Sequence, residues 1–224
     1  KAVLLSRRAA LEERRGDPAA AARATLDSLD CCRWKIAGEE EFINARGAVT
    51  AAMNLARLWI LAPEAIPASA SENWLARRAA PLPGEAQDAG GAAIERTLRS
   101  AAAILELPEP PPAALLLPEV WLCQGAVALR RAEEAGGSPA APREALAADR
   151  ALAARLGEAL ALFRRAEARC GEQIAAAIPL PAPLAPEDRE RQRRLLISAV
   201  LYQARALRAL GQDAATETAE RGLR

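Results

Sequence analysis

The sequence predicts an all-α protein assembled from antiparallel helix hairpins. Three observations point there. Of the 224 residues, 51% are hydrophobic but only 3% are aromatic, so Ala and Leu supply most of the apolar surface. Ala is the best helix former and lets helices approach closely. No run alternates Val, Ile and Thr as a convincing strand would. The two ends of the chain also share one arrangement: a helix, a Gly-containing turn and a second helix.

At the N-terminus, "AVLLSRRAALEERRGDPAAAARATLDSLD" reads as a helix over Ala2 to Arg15, a break at Gly16-Asp17-Pro18, and a second helix to Asp30. Pro18 suits a first helical turn, where its missing N–H leaves nothing unpaired. A strong helix follows over Glu40 to Leu61, with Gly47 inside it. Its partner is Ala92 to Leu107. The stretch between them, 62–91, is rich in Ala, Pro, Gly and Ser and is expected to be irregular and exposed. Glu119 to Glu134 forms the next helix, paired with one ending in "GEALALFRRAEARC" at Cys170. The Pro-rich joints at Pro108 to Pro112 and Pro179 to Asp188 are firm boundaries, because Pro cannot continue a helix. Last come Ala199 to Leu210, a turn at Gly211-Gln212-Asp213, and Ala214 to Leu223. The hairpins thus span about 2–30, 40–107 with insertion 62–91, 118–177 with insertion 135–150, and 189–223, within one domain. Because residue 1 is Lys and not Met, that domain is expected to belong to a longer protein.

Small residues recur at fixed gaps in these helices. Trp121 and Gly125 lie four apart in one helix; Ala159, Phe163 and Ala166 lie four and three apart in the next. This pattern resembles the tetratricopeptide repeat. Ala9, Ala21 and Ser28 keep the same register in the first hairpin, Gly47, Ala93 and Ser100 in the second, and Ala204, Leu207, Leu210 and Gly211 in the fourth. Thr97 stands where the family usually has an aromatic. The resemblance implies a right-handed α-solenoid of about four hairpins with long Pro/Gly/Ala-rich insertions. It assigns Gly47, Trp121, Gly125, Ala159, Phe163, Ala166, Ala204 and Gly211 to packing. The competing architecture is a plain Ala-rich bundle whose small residues recur by composition alone.

Catalysis is not expected. The chain has no His, the usual general base near neutral pH. The densest carboxylates, Glu39 to Glu41, read as first-turn residues that complement a helix dipole. Gly90-Gly91 and Gly136-Gly137 follow no strand and precede no Lys-Ser/Thr, so neither is a phosphate loop. Cys31, Cys32, Cys123 and Cys170 have no disulfide or metal-ligand spacing. No cofactor or metal is therefore expected, and reduced thiols suggest the cytoplasm or nucleus. No apolar run approaches the roughly 20 residues that cross a bilayer, so no membrane contact is expected.

The 30 basic and 29 acidic residues nearly cancel, which argues against a general grip on nucleic acid. The run "PEDRERQRR" mixes both signs and reads as an N-capped, solvated helix start.

The family resemblance further implies that first helices line a concave binding face. The register puts Ser6, Ala10 and Arg14 there from hairpin one, and Asn44, Ala48 and Ala51 from hairpin two. It adds Leu122, Ala126 and Leu129 from hairpin three, and Leu201, Arg205 and Arg208 from hairpin four. Asn44, Leu122, Leu129, Leu201, Arg205 and Arg208 are the candidate partner contacts. Some relatives grip a C-terminal carboxylate with Lys, Asn and Arg; Ser6 and Ala10 at those positions argue against that clamp. The implied function is a non-catalytic scaffold or adaptor in a multi-subunit assembly. Its partners would be proteins, a peptide or helix with an acidic end. The rival is a peptide- or ligand-sensing regulatory module of a larger protein.

Overall fold

A computed structural model of the chain describes residues 1–35, 41–80, 89–106, 115–136, 150–175, 184–212 and 214–223. The helices are α1 (Ala2–Arg14), α2 (Pro18–Asp30), α3 (Ala45–Leu61), α4 (Trp74–Arg78), α5 (Ala89–Leu105), α6 (Leu117–Gly136), α7 (Arg150–Ile174), α8 (Pro186–Ala209) and α9 (Ala214–Leu223). The chain is accordingly helical, as its composition predicts. It divides into two compact units, Lys1–Cys123 and Gln124–Arg224, with the division inside α6.

In the first unit, α2 packs on α1 and α3, and α3 packs on α5. The α1–α2 turn is the one the sequence predicts. Gly16 takes a φ of +78°, Asp17 accepts a hydrogen bond from Ala20 N–H at 2.8 Å, and Pro18 opens α2. That side-chain cap satisfies one of the helix's unpaired N–H groups. The Ser6 and Ser28 hydroxyls meet at 2.9 Å between the two helices. The register that puts Ser6 on a concave face is therefore not followed, because its hydroxyl faces α2. Ala21 and Ala22 pack with Leu58 of α3, and Ile66 lies against them.

Four expectations are corrected in this architecture. The helix predicted from Glu40 begins only at Ala45, because residues before it form a two-stranded antiparallel ribbon. Its strands are β1 (Arg33–Lys35) and β2 (Glu41–Ile43), paired Arg33 to Ile43 and Lys35 to Glu41. Three-residue strands are too short to show an alternation in sequence, and the hydrogen bond from Asn44 N–H to Cys32 O at 2.8 Å closes the ribbon. Glu41 consequently sits in a strand and does not serve a helix dipole; Glu39 and Glu40 lie outside the described residues.

The insertion 62–91 is likewise not irregular and exposed throughout. Pro63–Ala65 and Ala68–Glu72 form 3-10 turns, α4 follows, and Trp74, Leu75 and Ala76 are buried. Residues 81–88 of that insertion lie outside the described residues. The Trp74 indole N–H donates to Leu29 O at 2.9 Å, a carbonyl at the end of α2 that also accepts Cys32 N–H at 3.0 Å. Asn73 accepts from Ala76 N–H at 2.9 Å and donates to Thr97 Oγ1 at 2.9 Å and to Ala70 O at 2.6 Å. Thr97 is fully buried. Its place is polar because it receives α4, which an aromatic ring could not do by hydrogen bonding.

In the second unit, "PEDRERQRR" is a helix start as expected: it forms the first turns of α8, which runs unbroken to Ala209. Ala185 at its N-cap offers no side-chain bond, so the predicted capping is absent, although Glu187 and Asp188 do occupy the first turn. Pro186 at the first helical position and those two carboxylates suit the helix start without a cap. Pro186 to Asp188 of the joint Pro179 to Asp188 thus belong to α8; its residues 179–183, Pro108 to Pro112 and residues 137–149 of the insertion 135–150 lie outside the described residues. Gly211, at φ +68°, makes the turn to α9 that the sequence predicts.

Candidate interaction surface

The core of the second unit is built around one ring. Phe163 of α7 is fully buried and stacks on Tyr202 of α8, ring centres 5.1 Å apart at 18°. On the other side it meets α6: a Cβ on Gly125 would stand 2.5 Å from Phe163 Cε1, closer than carbon atoms can approach. Ala159 and Ala166, one turn either side of Phe163, are buried as well. Further along the α7–α8 seam, the Cys170 thiol donates to Gln192 Oε1 at 3.2 Å, and Gln203 Nε2 donates to Glu167 at 2.6 Å. These pairs run in opposite directions along the two helices, so α7 and α8 are antiparallel. The packing residues among the sequence candidates are thus buried: Trp121, Gly125, Ala159, Phe163, Ala166 and Ala204. Gly47 is pressed against the ribbon, where a Cβ would stand 2.7 Å from Cys32 Sγ.

The candidate partner contacts separate into two groups. Leu201, Arg205 and Arg208 are exposed on α8. Arg205 and Arg208, together with Ala204, form one wall of an open groove of about 530 Å³; Gln212, Ala215, Thr216 and Ala219 supply the turn and the α9 wall. Arg205 is held in place by Glu133 of α6 through two bonds of 2.8 and 2.5 Å. Among the described residues no carboxylate pairs with Arg208. Behind the groove, α9 is fastened by Arg221, 3.4 Å from Glu167. It approaches α8 so closely that a Cβ on Gly222 would stand 3.1 Å from Val200 Cγ1.

The other three contacts are corrected or lie elsewhere. Leu129 is only 1% exposed and belongs to the core. Asn44 is exposed, but its Oδ1 accepts Gly47 N–H at 3.0 Å, so it is the N-cap of α3. Leu122 is half-buried in the first unit, and Ala48 and Ala51 are buried on α3. The register fails at Ala48, Ala51 and Leu129 because these positions are buried. Sequence reasoning missed Gln212, Thr216, Ile197 and Glu133. Ile197 carried a readable signal, lying one turn before Leu201; the pairing of Glu133 with Arg205, 72 positions away, carried none.

Two of the thiols, Cys32 and Cys123, are poor nucleophiles. All four cysteines are free; Cys32 and Cys170 are buried, and Cys31 and Cys123 half-buried. Burial, and secondarily Cys31, pushes the Cys32 thiol up to about 11. Burial, and secondarily Glu119, pushes Cys123 up to about 12 against the opposing effect of Arg57. Such thiols stay protonated near neutral pH, and only the thiolate attacks. Asp30, near the end of α2, also holds its proton to higher pH than usual, through burial and then Asp27. Among the described residues no group of three or more Cys, Asp or Glu could hold a metal ion, and no helix is long and apolar enough to cross a membrane.

No family model matches the chain, and no curated protein or solved structure matches it either.

Proposed function

We propose that this chain is a non-catalytic scaffold or adaptor, a stack of helix hairpins similar to tetratricopeptide repeats, that holds a partner protein within a multi-subunit assembly in the cytoplasm or nucleus. The observation that carries the reading is the α8–α9 groove, where two of the sequence-derived contacts, Arg205 and Arg208, stand on one wall. Helix hairpins present extended surface without needing any reactive group. An arginine on an open groove wall is suited to a partner's carboxylate.

Affinity purification of the full-length protein followed by mass spectrometry tests this. A recurring partner, lost on Arg205→Glu with Arg208→Glu while the thermal midpoint holds, is the expected result. Absence of any recurring partner refutes the reading. A second reading, a ligand-sensing module, draws on the size of the groove, which falls within the range of small-molecule sites. A thermal shift with a small metabolite and no recurring partner would favour that alternative.

A further inference from the structure

Helix α1 carries its aliphatic side chains on the wrong side for a helix held only by its own hairpin. Toward α2 it buries Ala9 alone, with Leu5 half-buried. The other inward contacts are polar: Ser6 on Ser28, and the Ser28 hydroxyl donating to Ala2 O at 3.0 Å. Outward, Val3 is 64%, Leu4 68% and Leu11 52% exposed. A surface helix ordinarily buries such residues and shows its charges, so this face marks an unfilled contact.

Leu4, Arg7, Leu11 and Arg14 follow at gaps of three, four and three on that outward side, and all four are exposed. Arg8 and Arg15 flank them. Arg7 and Arg14 pair with no carboxylate among the described residues. The two carboxylates of the helix are engaged away from the stripe. Glu12 lies between Arg8 and Arg15, at 3.9 and 3.5 Å, and Glu13 reaches Arg57 of α3 at 2.8 Å.

We propose that this stripe docks a partner protein's helix whose facing residues alternate between aliphatic and acidic. Leu4 and Leu11 take the aliphatic side chains, and Arg7 and Arg14 take the carboxylates. The surface belongs to the first unit and is independent of the α8–α9 groove. Its spacing selects a helix. Successive stripe residues stand about 5 Å apart along the axis, which one face of a second helix matches. One face of an extended strand steps about 6.7 Å and slips by roughly 5 Å over three intervals.

The charges select an acidic occupant over a second copy of the stripe. In every register a copy brings four more guanidinium groups, Arg7, Arg8, Arg14 and Arg15, and no carboxylate that is not already held by an arginine. Arg7 and Arg14 would then lose water and gain no partner. An anionic bilayer fits less well than a protein. Arg7 lies between Leu4 and Leu11, so sinking both leucines into acyl chains drags a guanidinium with them.

The test uses the full chain and labelled helix-forming peptides of about three heptads, read by fluorescence anisotropy. The first alternates Leu and Glu at gaps of three and four. The second has Lys for each Glu, and the third has Ser for each Leu. Only the first is expected to bind. Arg7→Glu with Arg14→Glu should weaken it about tenfold and admit the Lys peptide. Leu4→Ser with Leu11→Ser should abolish binding with every charge kept. Circular dichroism checks that both variants, altered only at exposed positions, retain their helicity. No binding of the Glu peptide at about 1 mM overturns the proposal, as does equal binding of the Glu and Lys peptides. Co-sedimentation with phosphatidylserine vesicles that Leu4→Ser with Leu11→Ser abolishes would assign the stripe to a membrane instead. A dimer that Arg7→Glu with Arg14→Glu dissociates would assign it to a second copy. Arg205→Glu with Arg208→Glu should leave peptide binding unchanged; its loss there would move the peptide to the groove and sink the stripe.

Discussion

Phe163 occupies the space that a side chain at Gly125 would need, its Cε1 atom 2.5 Å from where a Cβ would stand. Each residue's cost of change therefore depends on the other. Phe163→Ala removes a buried ring stacked on Tyr202 and should destabilise the second unit by roughly 3–5 kcal/mol. Gly125→Ala alone forces the ring aside, at about 1–3 kcal/mol. In the Phe163→Ala background the same Gly125→Ala change should become neutral or stabilising, because the clash has gone and Ala favours helix. Urea unfolding of the four proteins checks this; additive effects would refute the contact.

Asn44 and Asn73 both cap helices, but in different surroundings. Asn44 is exposed and makes one cap bond, so Asn44→Ala should cost about 1 kcal/mol. Asn73 is buried and also donates to Thr97 and Ala70. Asn73→Ala should cost about 2–3 kcal/mol, since it leaves buried groups unpaired. Equal losses in thermal denaturation would contradict the network around α4.

Trp74→Phe keeps most of the buried aromatic surface but removes the N–H that reaches Leu29 O. The carbonyl retains Cys32 N–H at 3.0 Å. A loss of about 1 kcal/mol is expected, and hydrogen exchange should quicken in α4 before it does in α5.

The raised thiols give stability an alkaline slope. In the unfolded chain Cys32 and Cys123 ionise near their ordinary 9.0, whereas folded they hold protons to about 11 and about 12. Between those values the native state binds more protons than the unfolded one. The stabilisation is thus complete below pH 9 and is lost as pH rises toward 11 and 12. The urea midpoint should fall on going from pH 8 to about 10.5, and Cys32→Ala with Cys123→Ala should flatten that fall. A double variant with the original slope would show that other groups set it.

The sequence reveals what is local. Gly16-Asp17-Pro18 and Gly211 mark their turns because positive φ and a fixed Pro φ are properties of single residues. The gaps joining Ala159, Phe163 and Ala166 identify a buried stripe because helical period and residue size are both visible in one segment. What depends on distant partners is not visible. Composition makes 62–91 look like loop, yet Trp74 is buried because Leu29, 45 positions earlier, offers it a carbonyl. Leu129 and Leu201 both fit an outward register, and only the presence or absence of neighbouring helices separates core from surface. Arg205 and Arg208 were nominated by the register that the family resemblance implies; the opposite wall of the groove depended on where Gly211 directs α9.

Gly222 carries a consequence beyond its own packing. It lines no part of the groove, yet its lack of a side chain lets α9 lie against Val200, while Ala215, Thr216 and Ala219 on the same helix form the groove's far wall. A Cβ at 222 would need the Val200 side chain to give by a few tenths of an ångström, and a bulkier residue would press on both Val200 and Leu201. The width of the groove therefore depends in part on a position outside its lining.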